Sequence, residues 1–83
     1  MYRLIISPQA QKELKKIKKA HQLPIRLLIE EIREDPQLGK SLSRDLKGKF
    51  SYRLGVYRII YKVNQKDGTI NIISVGHRSK IYD

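Results

Sequence analysis

The stretch KGKFSYRLGVYRIIYK, residues 47–62, decides the fold of the second half of this chain. Strand-forming residues lie on both sides of Gly55, and a glycine accepts the positive φ that a tight turn needs. The stretch therefore predicts a β-hairpin. Because side chains alternate between the two faces of a strand, Arg58 would lie on one face. The other face would carry the core residues Tyr57, Ile59, Tyr61 and Val63.

The residues that follow predict a third consecutive strand. The sequence NQKDG, residues 64–68, has the composition of a turn, and TINIISV, residues 69–75, is apolar enough for a central strand. Gly76 is expected to end this strand. Three strands with short connections predict an antiparallel meander.

The first half of the chain predicts a short strand and two helices. YRLII, residues 2–6, is strand-like, and Ser7 followed by Pro8 is typical of a helix start. Apolar residues then recur at helical spacing. A second helix is expected to begin near Pro24 and to end at Asp35, because the residue before a proline disfavours helical dihedral angles. Residues 37–43 are expected to form a loop.

The predicted order of elements is β-α-α-β-β-β, a single domain over residues 1–83. Few residues separate the helices, so an antiparallel helical hairpin is expected. We predict an α+β fold with two layers, in which this hairpin covers one face of an antiparallel sheet. The first strand would join the sheet at an edge or beside the last strand. The uncovered face would carry Arg58.

The charge of the chain favours a polyanionic partner. Lysine and arginine number 18 against 8 acidic residues, which gives a formal net charge of +10. This exceeds the magnitude of roughly 2–8 that is typical of small soluble domains. Nucleic acid, or a strongly acidic protein, is the expected partner.

Several classes of site are disfavoured by what the sequence lacks. It contains no cysteine, which fits a cytoplasmic location, and no apolar run long enough to span a membrane. Its two histidines, His21 and His77, lie too far apart for a common zinc motif, and no glycine-rich phosphate loop is present. We therefore expect no metal, no cofactor and no membrane partner.

Cations and tyrosines on strands can still carry out RNA cleavage. RNA supplies its own nucleophile, the 2′-hydroxyl, and the protein must align it and stabilise charge on the phosphate. The planar fork of arginine bonds two phosphate oxygens at once. A lysine crowded by other cations gives up its proton more readily and can act as a base, and a tyrosine can stack on an unpaired base.

Three segments carry a resemblance to a known family. They are YRLGVYRIIYKV at residues 52–63, ISVGHR at residues 73–78, and the pair Ile81 and Tyr82. Together they closely resemble the RelE toxins of bacterial and archaeal toxin–antitoxin systems, within the RelE/ParE superfamily. The resemblance covers essentially the whole chain and implies a RelE-like fold.

The resemblance implies a ribosome-dependent endoribonuclease that cleaves mRNA in the ribosomal A site by 2′-hydroxyl attack and so inhibits translation. The implied partners are a cognate antitoxin protein, ribosomal RNA, mRNA and, through the antitoxin complex alone, operator DNA. The superfamily pattern also permits a ParE-like toxin that inhibits DNA gyrase without a nuclease site. A degenerate toxin that only binds its antitoxin is a third possibility.

The resemblance also implies roles for individual residues. Arg58 would stabilise the phosphate in the transition state, and Arg78 would help to protonate the leaving group. Lys49 would be a candidate for the general base, and Tyr82 would stack on the mRNA base. The residues predicted to contact RNA in addition are Lys47, Arg53, His77 and Lys80.

The sequence departs from the family pattern near the predicted base. Ser51 stands where RelE toxins often have a second catalytic lysine, and Lys47 could substitute from the other side of Lys49. His77 stands where RelE toxins can have lysine, and other branches use a histidine near this corner in acid–base chemistry. The choice of base therefore stays open between Lys49 and its neighbours.

Overall fold

The computed structural model describes residues 2–42 and 48–77, which form two helices and one five-stranded sheet. The helices are α1 (Pro8–Lys16) and α2 (Lys19–Glu34), and a short 3-10 helix spans Pro36–Leu38. The strands are β1 (Arg3–Ile6), β2 (Lys40–Ser41), β3 (Lys49–Leu54), β4 (Tyr57–Asn64) and β5 (Thr69–His77). The predicted α+β class with helices on one face is confirmed.

The sheet has the order β1-β5-β4-β3-β2. Strands β3, β4 and β5 form the predicted antiparallel meander, and β1 lies both at an edge and beside the last strand, as expected. The β1–β5 pair is parallel, so the sheet is mixed, and the prediction of a purely antiparallel sheet is wrong in this one pair. The loop predicted for residues 37–43, of which the structure describes 37–42, overlaps the end of the 3-10 helix and contains β2, a two-residue strand that pairs with β3.

The core lies between the sheet and the two helices. Its fully buried residues come from both layers and include Leu14, Ile25 and Ile32 from the helices and Ile59, Ile70 and Val75 from the strands. Tyr57 and Val63 of β4 are half-buried and pack against this core. The face of β4 that was predicted to face the core is therefore confirmed.

Helix α1 begins where the sequence predicted. The Ser7 hydroxyl accepts a hydrogen bond from the Ala10 N–H at 3.0 Å, and Pro8 occupies the first turn. Glu13 then links α1 to the part of β5 that extends past its pairing with β1. Its Oε1 accepts bonds from the Val75 N–H at 2.9 Å and from the Ser74 hydroxyl at 3.1 Å. The Glu13 carboxylate thus satisfies the Val75 N–H at a sheet edge that no strand of the described residues covers.

The predicted start of α2 near Pro24 is wrong, because the helix begins at Lys19 and contains Pro24 in its interior. An interior proline removes one intrahelical hydrogen bond. Side chains at the start of the helix hold this turn in place. The Gln22 amide donates to the Ile17 carbonyl at 2.8 Å, and His21 Nδ1 lies 2.8 Å from the Tyr57 hydroxyl. The predicted end of the helix at Asp35 is confirmed.

Strand β5 continues through Gly76 to His77, so the expected break at Gly76 is wrong. The register shows how the strand continues. An irregularity sets Ile60 opposite Ser74 but Tyr61 opposite Ile72, which leaves Ile73 as an extra residue. Such a bulge shifts the pairing of the strand that follows. Gly76 then pairs with Arg58, and His77 pairs with Tyr57.

Tyr61 anchors the connection between α2 and β2 to the sheet. Its side chain is fully buried and stacks on Phe50 with ring centroids 5.4 Å apart. The hydroxyl donates to the Pro36 carbonyl at 2.7 Å and accepts from the Gly39 N–H at 2.9 Å. Burial raises the pKa of this hydroxyl, and the charge of Asp35 acts in the same direction, while the Gly39 bond opposes them.

Candidate nucleic-acid interface

Two pairs of cations lie directly opposite each other on neighbouring strands. Lys49 pairs with Lys62, and Arg53 pairs with Arg58, across the β3–β4 hairpin. Strand phase places all four on the face of the sheet opposite Ile59 and Tyr61. Strands β2, β3 and β4 contain no acidic residue. This face, called the open face below, is therefore positively charged along its length.

Such pairs oppose folding. Like charges directly across a strand pair destabilise a sheet, by up to about 1 kcal/mol each in the range measured for cross-strand pairs. A hairpin can form without two such like-charged pairs within the six residues of β3. An anion placed between the paired cations would relieve the repulsion. The arrangement therefore favours a negatively charged ligand on the open face.

Arg58 is held from β3. The side chain is half-buried, and its Nη1 donates a hydrogen bond to the Ser51 hydroxyl at 3.1 Å. Ser51 lies two residues before Arg53, the cross-strand partner of Arg58, and so shares the same face. Gly76 flanks Arg58 on β5 and adds no side chain beside it. The guanidinium thus has a fixed neighbour on β3, and the residue paired with Arg58 on β5 carries no side chain.

A groove of about 460 Å³ lies beside Arg58, between the β2 segment and the hairpin. Its polar lining includes Lys40, Arg53 and Ser51, and its apolar lining comes from Leu38, Leu42 and Tyr52. Cations beside apolar and aromatic surface suit a nucleotide, which presents a phosphate and a flat base. The groove lies next to the arginine that the sequence singled out.

Lys49 occupies the same face but lies near the opposite end of β3 from Arg53. Four residues separate it from Arg53, which corresponds to about 13 Å at the usual rise of a strand. Lys49 is half-buried and lies opposite the exposed Lys62. Lys49 and Arg58 therefore meet one phosphodiester only if their long side chains extend toward each other.

His77 lies in a different environment from Arg58. It ends β5 opposite Tyr57, and the two rings meet edge to face with centroids 6.3 Å apart. Tyr57 in turn meets His21, with centroids 5.3 Å apart. Strand phase therefore places His77 on the helix side at the end of the sheet. The predicted contact of His77 with RNA would be made at this end of the sheet. This contact stays a prediction.

The other predicted site residues lie outside the described residues. They are Lys47, Arg78, Lys80 and Tyr82. Of the eight predicted residues, the structure thus brings Lys49, Arg53 and Arg58 to one face. That Lys49 and Arg53 share a face follows directly from the sequence, because residues 49, 51 and 53 alternate with apolar residues.

Sequence reasoning missed two members of this face. Ser51 was noted only as a departure from a family pattern, although its strand phase matches that of Lys49 and Arg53. Lys40 comes from a segment predicted as loop, and its pairing with Ser51 brings it to the groove. The phase signal could have identified Ser51. No local signal identifies Lys40, because two-residue strands depend on their partner.

The described residues contain no cluster of three or more histidine, cysteine, aspartate or glutamate side chains that could hold a metal ion. Within residues 2–42 and 48–77, neither helix is long and apolar enough to cross a membrane.

Comparison with known proteins gives a consistent family assignment. Residues 4–82 match the family model of the ParE toxin of the type II toxin–antitoxin system parDE. The toxin RelG of Mycobacterium tuberculosis is 39% identical over 70 residues, which cover 75% of this chain and 80% of RelG.

Solved structures share the fold. A chain of the toxin–antitoxin complex RelBE2 from Mycobacterium tuberculosis superposes with a TM-score of 0.83 at 29% identity, and the match covers 93% of this chain and 98% of that one. A chain of the archaeal RelE–RelB complex from Pyrococcus horikoshii OT3 gives 0.77 at 30% identity, covering 95% and 97%. The chain therefore belongs to the RelE/ParE superfamily of type II toxin–antitoxin toxins.

Proposed function

We propose that this toxin is a ribosome-dependent endoribonuclease that cleaves mRNA in the ribosomal A site and so inhibits translation in the cytoplasm. The observation that carries the proposal is the pair of like-charged cross-strand contacts, Lys49 with Lys62 and Arg53 with Arg58, on the open face. A phosphodiester backbone supplies anions that would relieve the repulsion between these cations. The similarity to RelG and to RelE complexes supports the same reading.

In this mechanism the RNA provides the nucleophile. The 2′-hydroxyl attacks the neighbouring phosphorus, the bond to the 5′-oxygen breaks, and a 2′,3′-cyclic phosphate results. Arg58 stabilises the extra negative charge on the phosphate oxygens, which is the task for which its fork of N–H donors is suited. Lys49 takes the proton of the 2′-hydroxyl. Arg78 helps to protonate the leaving 5′-oxygen, so that a free 5′-hydroxyl results, and Tyr82 stacks on the base.

The groove residues bind the flanking nucleotides. Arg53 and Lys40 would meet the backbone, while Leu38 and Leu42 offer apolar surface to a base. Lys47, Lys80 and His77 would extend the contacts. No step requires a metal ion, since cations of the chain supply the charge. The ribosome aligns the mRNA, which can contribute a large part of the barrier reduction.

A cognate antitoxin completes the proposed system. A related chain is found in a complex named as a toxin–antitoxin complex, and another in a RelE–RelB complex. The net charge of +10 favours an acidic or amphipathic partner that binds as a helix in a groove or as an added strand. Operator DNA would be bound through that complex. Antitoxin binding that persists undiminished in molar salt would show that charge is not its main driver.

The test is cleavage of mRNA on programmed ribosomes. We expect the wild-type protein to cut ribosome-bound mRNA and to cut free RNA little. Replacing Arg58 or Arg78 by alanine should lower the cleavage rate by about 100- to 1000-fold, the loss typical of removing one group that stabilises the transition state. Arg26→Ala is the control, because Arg26 is an exposed arginine of α2, away from the open face.

Circular dichroism and thermal unfolding should show that all three variants keep the fold. The nuclease proposal is wrong if the wild type and both site variants inhibit translation equally. A protein that inhibits nothing, yet binds an antitoxin, would instead be a degenerate toxin.

A second candidate follows from the family model, which is named for the ParE toxins. A ParE-like toxin would inhibit DNA gyrase without cutting RNA. A gyrase supercoiling assay with the purified protein separates the two functions. Inhibition of supercoiling together with intact mRNA would favour the gyrase toxin, and the Arg58→Ala variant would then retain its toxicity.

A further inference from the structure

A buried serine lies within the cationic open face. Ser51 is only 6% exposed, although Lys49 and Arg53 on either side of it along the face are long charged residues. Its hydroxyl accepts the Nη1–H of Arg58 at 3.1 Å. Ser51 also lines the groove beside that arginine. A small polar residue at this position therefore contacts the side chain on which the proposed chemistry depends.

The bond has a physical consequence for Arg58. An arginine side chain loses much of its rotamer entropy when it is fixed in one conformation. An arginine that is already held does not pay that cost when charge develops on the phosphate in the transition state. A hydroxyl acceptor also orients the guanidinium without cancelling its charge. A carboxylate at position 51 would orient it too, but it would compete with the phosphate.

We propose that Ser51 is a positioning residue of this site, whose hydroxyl holds the Arg58 guanidinium in place beside the groove for a phosphate. Ser51 acts through Arg58 and does not itself touch the reacting atoms. The register supports the assignment, because Ser51 and Arg58 are diagonal neighbours on one face rather than a directly opposed pair. The importance of this role for cleavage rests on the proposed nuclease function.

Cleavage kinetics give the first readout. Ser51→Ala should lower kcat on programmed ribosomes by roughly tenfold, the loss expected for one hydrogen bond to a charged group, with little change in KM. Ser51→Thr keeps the hydroxyl and should restore most of the rate. Ser74→Ala is the matched control, since Ser74 is also buried (7% exposed) but its hydroxyl bonds to Glu13.

The second readout does not depend on ribosomes. Nitrogen-15 NMR of the arginine side chains reports how fast each guanidinium rotates, and Arg58→Lys identifies the Arg58 signals. We expect slow rotation of the Arg58 guanidinium in the wild type and in Ser51→Thr, and clearly faster rotation in Ser51→Ala. Ser74→Ala should leave these signals unchanged.

The two readouts separate the two proposals. Faster rotation in Ser51→Ala, in a protein that cuts no RNA, would uphold the positioning role and overturn the nuclease function. Equal rotation in the wild type and Ser51→Ala would overturn the positioning role, whatever the cleavage rates. A fall in kcat that Ser74→Ala reproduces would overturn it as well, because the loss would then follow from burial alone.

Discussion

The two faces of the β3–β4 hairpin differ in what they contribute. The helix-covered face carries Ile59 and Tyr61, which are fully buried in the core. The open face carries Arg58 and Lys62, each opposite another cation. Along β4, residues that face the helices alternate one by one with residues on the open face. Stability and proposed function are therefore separated by side-chain direction and not by position along the chain.

This separation has a consequence for experiments. A substitution at one residue of β4 and a substitution at the next residue should affect different properties. The covered face should govern the free energy of unfolding, and the open face should govern binding to polyanions. The comparison can be tested by changing neighbouring residues in pairs.

The largest effect is expected from Ile59→Ala. Removing a fully buried isoleucine costs about 2–5 kcal/mol of the free energy of unfolding, through lost burial and the cavity left behind. That is a large part of the 5–15 kcal/mol typical of a whole domain. Ile60→Ala, one residue later and only half-buried, should cost about 1 kcal/mol or less. Urea denaturation measures both, and equal losses would contradict the two-face description.

Tyr61→Phe should have the next largest effect on stability. It leaves the Gly39 N–H and the Pro36 carbonyl without their bonds to the Tyr61 hydroxyl, so we expect a loss of about 1–3 kcal/mol. Tyr52→Phe is the control, because the Tyr52 hydroxyl makes no hydrogen bond with the described residues. Urea denaturation would contradict the prediction if both variants lost the same free energy.

The same hydroxyl predicts a dependence on alkaline pH. Burial raises the pKa of Tyr61 above the ordinary value of 10.0, so the unfolded chain releases this proton at lower pH than the folded chain. The stabilisation is complete below pH 10.0 and is lost as the pH rises toward the folded-state pKa. The free energy of unfolding should therefore fall more steeply with pH above that value in the wild type than in Tyr61→Phe. Parallel curves from urea titrations would contradict this.

The smallest effect on stability is expected from Lys62→Ala on the open face. Lys62 is exposed, so the free energy of unfolding should change by no more than about 0.5 kcal/mol, and the lost repulsion with Lys49 can make the change favourable. Affinity for single-stranded RNA should weaken, with the slope of log K against log salt falling by about 0.7. Lys66→Ala in the β4–β5 turn is the control. Equal slopes for the two variants would remove Lys62 from the interface.

Sequence reasoning predicted the antiparallel meander, the helices on one face of the sheet, and which side chains of β4 face the core. These features follow from the spacing of apolar residues along each segment, which is a local property. Sequence reasoning failed at Pro24 and at Gly76, where tertiary contacts overrode a local preference. Lys19–Glu34 stays helical through its proline while His21 and Gln22 bond to neighbouring elements. Strand β5 continues beyond the bulge at Ile73 and through Gly76, because Gly76 and His77 pair with Arg58 and Tyr57 of β4.

The sequence by itself determined which side chains of the hairpin share a face, and with them the cationic character of that face. Only the tertiary structure decided which cations lie opposite each other, because cross-strand register depends on the turn and on the partner strand. It also decided that Ser51 meets Arg58 and that Lys40 reaches the groove. Those contacts join segments whose pairing no local pattern specifies.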